Sequence, residues 1–137
     1  MKDDQTYWVG QKAFIRKGDE VLVLTDPTEG LDFPGGKIQE GETGEECIVR
    51  EIEEELSVIV DVVAKLEPVE FDYGFRQVRL KPFVCRIISG EIKLNEHTAQ
   101  WWLEYDELEI PKWSEADREL IVKNKISLKQ LMSKADL

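Results

Sequence analysis

Gly36-Lys37-Ile38-Gln39-Glu40-Gly41-Glu42-Thr43-Gly44-Glu45-Glu46-Cys47-Ile48-Val49-Arg50-Glu51-Ile52-Glu53-Glu54-Glu55-Leu56-Ser57-Val58 decides how the chain reads. Thr43 and Glu46 form a T-x-x-E capping box, so a helix starts there with its first amides satisfied. Ile48, Val49, Ile52 and Leu56 then make one apolar stripe. Glu51, Glu54 and Glu55, three and four residues apart, share a second face. At about 100° per residue the two faces lie roughly 120° apart, so one can pack on a sheet while the other serves a site. Three like charges on one face repel unless a cation sits among them. Clustered hard oxygen ligands suit Mg²⁺ or Mn²⁺ rather than zinc or copper. Upstream, Gly35-Gly36 allows a backbone carbonyl or amide to approach a ligand closely.

The order of these residues resembles the signature of the Nudix hydrolase family, and its MutT-like members in particular. Gly36, Glu42, Arg50, Glu51, Glu54 and Glu55 fill six of the seven polar or glycine positions, and Ile52 and Val58 fill the two apolar ones. Ser57 stands where the family has glycine. That position ends the helix, where glycine usually supplies a left-handed cap, so serine costs stability there and removes no ligand. The resemblance implies an α/β fold, the Nudix-type α/β/α sandwich with a mixed β-sheet. It implies Glu51, Glu54 and Glu55 as metal ligands with the Gly36 carbonyl in the same shell, and Glu42 and Arg50 as supports of the loop–helix–loop geometry. Glu51, Glu54 and Glu96 are then the catalytic carboxylates, with the general base open between Glu54 and Glu96.

Length and composition set the frame. Residues 1–137 are enough for one domain with a sizeable core and too few for two. No apolar run approaches a membrane span, and Met1–Asp4 open no signal-type apolar stretch, so a cytoplasmic protein is expected. The net charge of −11 disfavours a long nucleic acid partner, and it tolerates a small phosphorylated substrate if metal ions bridge the like charges. Cys47 and Cys85 show no paired or zinc-type spacing with the single His97, and buried reduced thiols are expected.

Around the signature, Tyr7–Arg16 and Val21–Thr25 read as a hairpin across Lys17-Gly18-Asp19-Glu20. Ile59–Phe71 and Phe75–Ile88 read as two long strands around Asp72-Tyr73-Gly74, with Pro82 marking an edge position or a bulge. Ala99–Leu103 is a further strand. Ser114 and Asp117 open a helix near Glu115, and Lys125–Leu131 either continues it or starts another after Asn124.

Several residues outside the helix are candidates for the substrate. Arg79, Arg76 and Phe75 lie on the strand that borders the cleft in similar enzymes, where an arginine can pair with phosphate; a solvent-facing strand arginine is the simpler alternative. Trp101 and Trp102 face opposite ways, which makes Trp102 the core residue and Trp101 a stacking surface or a dimer contact. Asp117 sits where MutT-like relatives read a base edge, although the helix macrodipole alone explains a carboxylate there.

The expected activity is divalent-metal-dependent hydrolysis of a nucleoside diphosphate-linked compound, foremost a nucleoside triphosphate to monophosphate and pyrophosphate. The alternatives are ADP-ribose, a dinucleoside polyphosphate or a nucleotide sugar as substrate, or a catalytically silent nucleotide-sensing module. A small nucleotide is the expected partner, with no membrane and no long nucleic acid, in a monomer or homodimer.

Overall fold

The computed structural model describes residues 6–28 and 30–132; Met1–Asp4 lie outside the described residues. In chain order the elements are β1 (Thr6–Lys17), β2 (Glu20–Asp26), β3 (Gly30–Asp32), β4 (Gly35–Gly36), α1 (Gly44–Leu56), β5 (Ile59–Lys65), β6 (Val69–Asp72), β7 (Arg76–Ser89), β8 (Ala99–Glu104), a 3₁₀ turn (Tyr105–Glu107), α2 (Glu115–Lys123) and α3 (Lys125–Met132).

The ladder that organises them is β1 against β7, parallel from Thr6 opposite Arg76 to Ile15 opposite Cys85. Every other strand pair is antiparallel, so the sheet is mixed. Period-2 alternation gives it two apolar faces. Ala13 and Ile15 of β1, with Phe83 and Cys85 of β7, pack under Ile48, Ile52 and Leu56 of α1. Phe14 of β1, with Val78, Leu80 and Val84 of β7, packs under Leu120, Ile121 and Leu128 of α2 and α3. Helices thus cover both faces, as an α/β/α sandwich requires.

Helix α1 forms as its sequence dictates. Glu46 N–H donates to the Thr43 hydroxyl at 3.1 Å and Thr43 N–H to the Glu46 carboxylate at 2.9 Å, closing the capping box. Ile48, Ile52 and Leu56 are fully buried. At about 1.5–3 kcal/mol each they outweigh like-charge repulsion of a few tenths of a kcal/mol per exposed pair on the acidic face. The helix ends at Ser57, at φ 61°, ψ 30°, the single positive φ of a non-glycine among the described residues. The left-handed cap expected of glycine is therefore built with serine.

Three expectations are corrected. The β1–β2 hairpin holds through only two pairs, Arg16 with Val21 and Lys17 with Glu20; beyond them β1 turns to β7 and β2 to β8. Ile59–Phe71 is two strands, broken at Leu66-Glu67-Pro68, where the buried Asn124 side chain pairs with both backbone groups of Glu67 at 2.8 and 3.0 Å in place of the ladder. Pro82 lies in a central strand rather than at an edge. Its carbonyl accepts from Leu66 N–H at 3.0 Å, so its missing N–H faces the gap between β5 and β6 and no ladder bond is lost. Lys125–Met132 is a separate helix, as one of the two readings had it.

Candidate active site

The acidic face of α1 meets the sheet at β4. Gly36 lies so close to Glu51 that a Cβ there would meet its carboxylate, which brings the Gly36 backbone to the carboxylate cluster. Gly35 N–H donates to Glu55 at 3.4 Å. The three glutamates are graded by burial: Glu55 is 4% exposed, Glu51 intermediate, and the Glu54 side chain 53% exposed.

Arg50 braces the cluster. Its guanidinium donates to Glu42 at 2.5 and 3.0 Å, to Glu51 at 2.7 Å, to Glu54 at 3.1 Å and to the Lys37 carbonyl at 3.1 Å. These bonds hold the arginine firmly protonated and keep the Glu42 carboxyl below its usual range. Glu42 closes the loop by accepting from Gln39 N–H at 2.9 Å. Cys47, fully buried one turn away, is a packing residue whose thiol burial pushes up to about 11.

Glu96 joins from the far side. The 90–98 loop is tied to the end of α1 by Lys93 N–H to the Leu56 carbonyl at 2.8 Å and Asn95 N–H to the Glu55 carbonyl at 3.0 Å. The Asn95 amide also donates to the Glu54 carbonyl at 2.8 Å and to the Ser57 hydroxyl at 3.0 Å. Glu96 then stands close enough for its charge to act on Glu55. Burial, a shared hydrogen bond with Glu51 and the Glu96 charge together push the Glu55 carboxyl up to about 9. A cluster that must hold a proton to relieve its own repulsion has the donor set and the charge deficit that a hard divalent cation fills.

From this cluster a cleft of about 320 Å³ runs across the α2 face of the sheet. Gly35 and Gly36 form one end. Trp8 and Lys12 of β1 with Arg76, Val78 and Leu80 of β7 form the floor, while Tyr73 and the start of α2 at Ser114, Ala116 and Asp117 close the other side. Asp117 is 5% exposed and faces the cleft, so it is not merely a solvated helix-start carboxylate.

The remaining substrate candidates fall elsewhere. Arg79 is one residue out of phase with the floor residues Arg76, Val78 and Leu80, so it faces away and pairs with Glu70 at 2.8 Å. Trp101 is exposed on β8 and donates to the Thr25 hydroxyl at 2.9 Å, off the cleft lining. Phe75 is exposed beside Tyr73, whose ring it meets at 6.3 Å. Trp102 is half-buried against the α1-side core, with the Lys17 ammonium 5.8 Å from its ring. His97 lies beside Asp32, with Nε2 3.8 Å from the carboxylate. Asp26, Asp32 and His97 bring ligand atoms within 4.8 Å of one another, but Asp32 already holds the Lys12 ammonium at 2.5 Å.

Arg76, named beside Arg79 as a phosphate candidate, does line the cleft, whereas sequence reasoning missed Lys12, Trp8 and Tyr73. Their signal was the period of two: Trp8 and Lys12 share the strand face that buries Phe14, and Arg76 is in phase with Val78. The Trp8 ring lies over Gly10, where a Cβ would collide with it, and the Lys37 ammonium sits 5.4 Å from the ring centre.

Comparison with known proteins agrees with this geometry. The NUDIX domain family model matches residues 7–123. The 8-oxo-dGTP diphosphatase of Proteus vulgaris is 36% identical over 97 residues, covering 67% of this chain and 87% of the relative. The enzyme of the same name from Haemophilus influenzae is 29% identical over 115 residues, covering 80% and 85%. The crystal structure of the MutT NUDIX hydrolase from Burkholderia pseudomallei superposes with a TM-score of 0.72 at 26% identity, covering 87% of this chain and 98% of the other. The chain belongs to the NUDIX family. Among the described residues no helix is long and apolar enough to cross a membrane.

Proposed function

We propose that this chain is a MutT-like, divalent-metal-dependent pyrophosphohydrolase that cleaves a nucleoside triphosphate to the monophosphate and pyrophosphate, with residues 1–137 acting as one domain. One observation carries the reading: Gly36, Glu51, Glu54, Glu55 and Glu96 converge at one end of a cleft whose side wall is Asp117 and whose floor carries an aromatic ring. That is a phosphate end joined to a base end. The diphosphatase names of the relatives from Proteus vulgaris and Haemophilus influenzae point the same way.

Glu51, Glu54 and Glu55, with the Gly36 carbonyl, are the groups that hold the metal, Mg²⁺ or Mn²⁺. When bound, the metal neutralises phosphate charge and acidifies water for in-line attack at phosphorus. Arg50 fixes Glu51 and Glu54 in place and Glu42 fixes Arg50. Arg50 also occupies Glu54, donating to its carboxylate at 3.1 Å. Glu96, with no hydrogen bond to its carboxylate among the described residues, is the better general base. Buried free thiols at Cys47 and Cys85 fit the reducing cytoplasm.

The test is turnover of the purified protein with Mg²⁺ on nucleoside triphosphates, ADP-ribose, a dinucleoside polyphosphate and a nucleotide sugar, with products separated by chromatography. Monophosphate and pyrophosphate from a triphosphate, abolished by EDTA, are expected. Preference for one of the other three classes, or full activity after exhaustive EDTA treatment, overturns the reading.

A further inference from the structure

Lys12 is an unusual occupant of the cleft floor. It sits two residues from Phe14 on the same face of β1, where the neighbouring positions are apolar, and only 12% of its side chain is exposed. Its ammonium donates to Asp32 at 2.5 Å and to the Phe33 carbonyl at 3.3 Å. An ammonium has three donors and accepts nothing, so these two bonds fix its place and leave one N–H for the cleft. Burial works against its charge, but Asp32, Asp117 and Glu55 outweigh that and keep it protonated. Lys12 and Asp117 line the same cleft.

A buried pair of this kind is weak as a stability device, since apolar residues of similar volume usually serve as well. Its directional value is greater. Asp117 offers a hydrogen-bond acceptor to the cleft and Lys12 a donor to the same cleft.

The geometry points to Lys12 as a specificity-determining residue, whose remaining N–H donates to a carbonyl oxygen on the nucleobase edge while Asp117 accepts from the adjacent ring N–H. The inference rests on the nucleoside triphosphate reading above. It selects bases with a lactam edge, a C=O next to an N–H, and it predicts weak use of bases lacking that oxygen. Asp32 serves as the positioning partner: it aims the ammonium, and His97 lies against its other oxygen.

Inosine triphosphate and purine riboside triphosphate differ by the 6-oxo group and the ring proton beside it, and both are suitable probes. Wild-type kcat/KM is expected to favour inosine triphosphate by about tenfold or more, the size of a hydrogen bond to a charged group. In Lys12→Met that ratio should fall about tenfold, mainly through KM for inosine triphosphate, and Lys12→Arg should restore part of it. Because Lys12→Met strands the Asp32 carboxylate, Lys12→Met/Asp32→Asn is measured beside it, with melting temperatures for both. A wild-type ratio within twofold of unity overturns the inference whatever the variants do. So does an equal loss on both substrates in a folded variant, with the nucleoside triphosphate reading left intact. If the wild type releases pyrophosphate from no nucleoside triphosphate, that reading itself falls and takes this one with it.

Discussion

Glu55→Gln separates what the acidic cluster costs the fold from what it does for catalysis. In the metal-free protein the Glu55 carboxyl is raised to about 9, by burial first, then by Glu51 and Glu96. The folded state therefore holds a proton that the unfolded chain releases near the ordinary glutamate value. Between those two values the folded state binds more protons, so stability falls as pH rises from about 4.5 to about 9. At pH 7 the gap is about 2.5 pH units, and at about 1.4 kcal/mol per unit the cost is about 3 kcal/mol. Glutamine keeps the shape and never ionises. In EDTA, denaturant unfolding should show the wild type losing stability from pH 5 to pH 8, with Glu55→Gln nearly flat and about 3 kcal/mol more stable at pH 7. Saturating Mg²⁺ should stabilise the wild type far more than the variant, and kcat should drop by orders of magnitude. A variant less stable than wild type in EDTA at pH 7, or one with unchanged kcat, refutes the assignment of Glu55 as the buried ligand.

Glu54→Gln tests the same cluster at its exposed edge. With its side chain 53% exposed it should change the melting temperature little while still lowering kcat by orders of magnitude, and an unaffected kcat moves the metal site elsewhere. Ser57→Gly relieves a left-handed backbone and loses one exposed bond from Asn95, so denaturant unfolding should show a gain of about 0.5–1 kcal/mol with kcat within twofold; a loss of stability shows that the Asn95 bond matters more than the strain. Asp117→Ala should raise KM for the preferred base and flatten the kcat/KM ranking of purine and pyrimidine nucleotides. A change of only about 0.5–1 kcal/mol in stability with the ranking intact returns Asp117 to a helix-start role.

The acidic half of the site was legible because it is local. Capping box, apolar stripe and carboxylates all lie within 43–56, where one helical period relates them, and even the cap at Ser57 could be read from a single position. The cleft half was not, because it is assembled from residues far apart in sequence. Lys12 and Arg76 line one cleft only because β1 and β7 pair in parallel, and no local pattern sets that pairing. Arg76 and Arg79 are alike by type, and the strand phase decides between them: one residue of shift turns a side chain to the other face. The break at Leu66–Pro68 was hidden for a similar reason, since its backbone groups are satisfied by Asn124 from the end of α2. Pro68 was the one visible sign.

The structure also explains how so acidic a helix remains folded and where its charge is left unbalanced. The apolar face of α1 supplies the stability, and Arg50 offsets part of the repulsion through Glu42, Glu51 and Glu54. Arg50 bonds neither Glu55 nor Glu96. The buried Lys12 ammonium bonds Asp32 and acts on Glu55 only through its charge. The innermost carboxylate is thus left to a shared proton, and a proton relieves charge without drawing a polyphosphate toward it. A divalent ion can do both. On the function proposed above, the deficit at Glu55 is what suits this end of the cleft to a metal, and a second arginine placed to satisfy it is expected to stabilise the fold and abolish the chemistry.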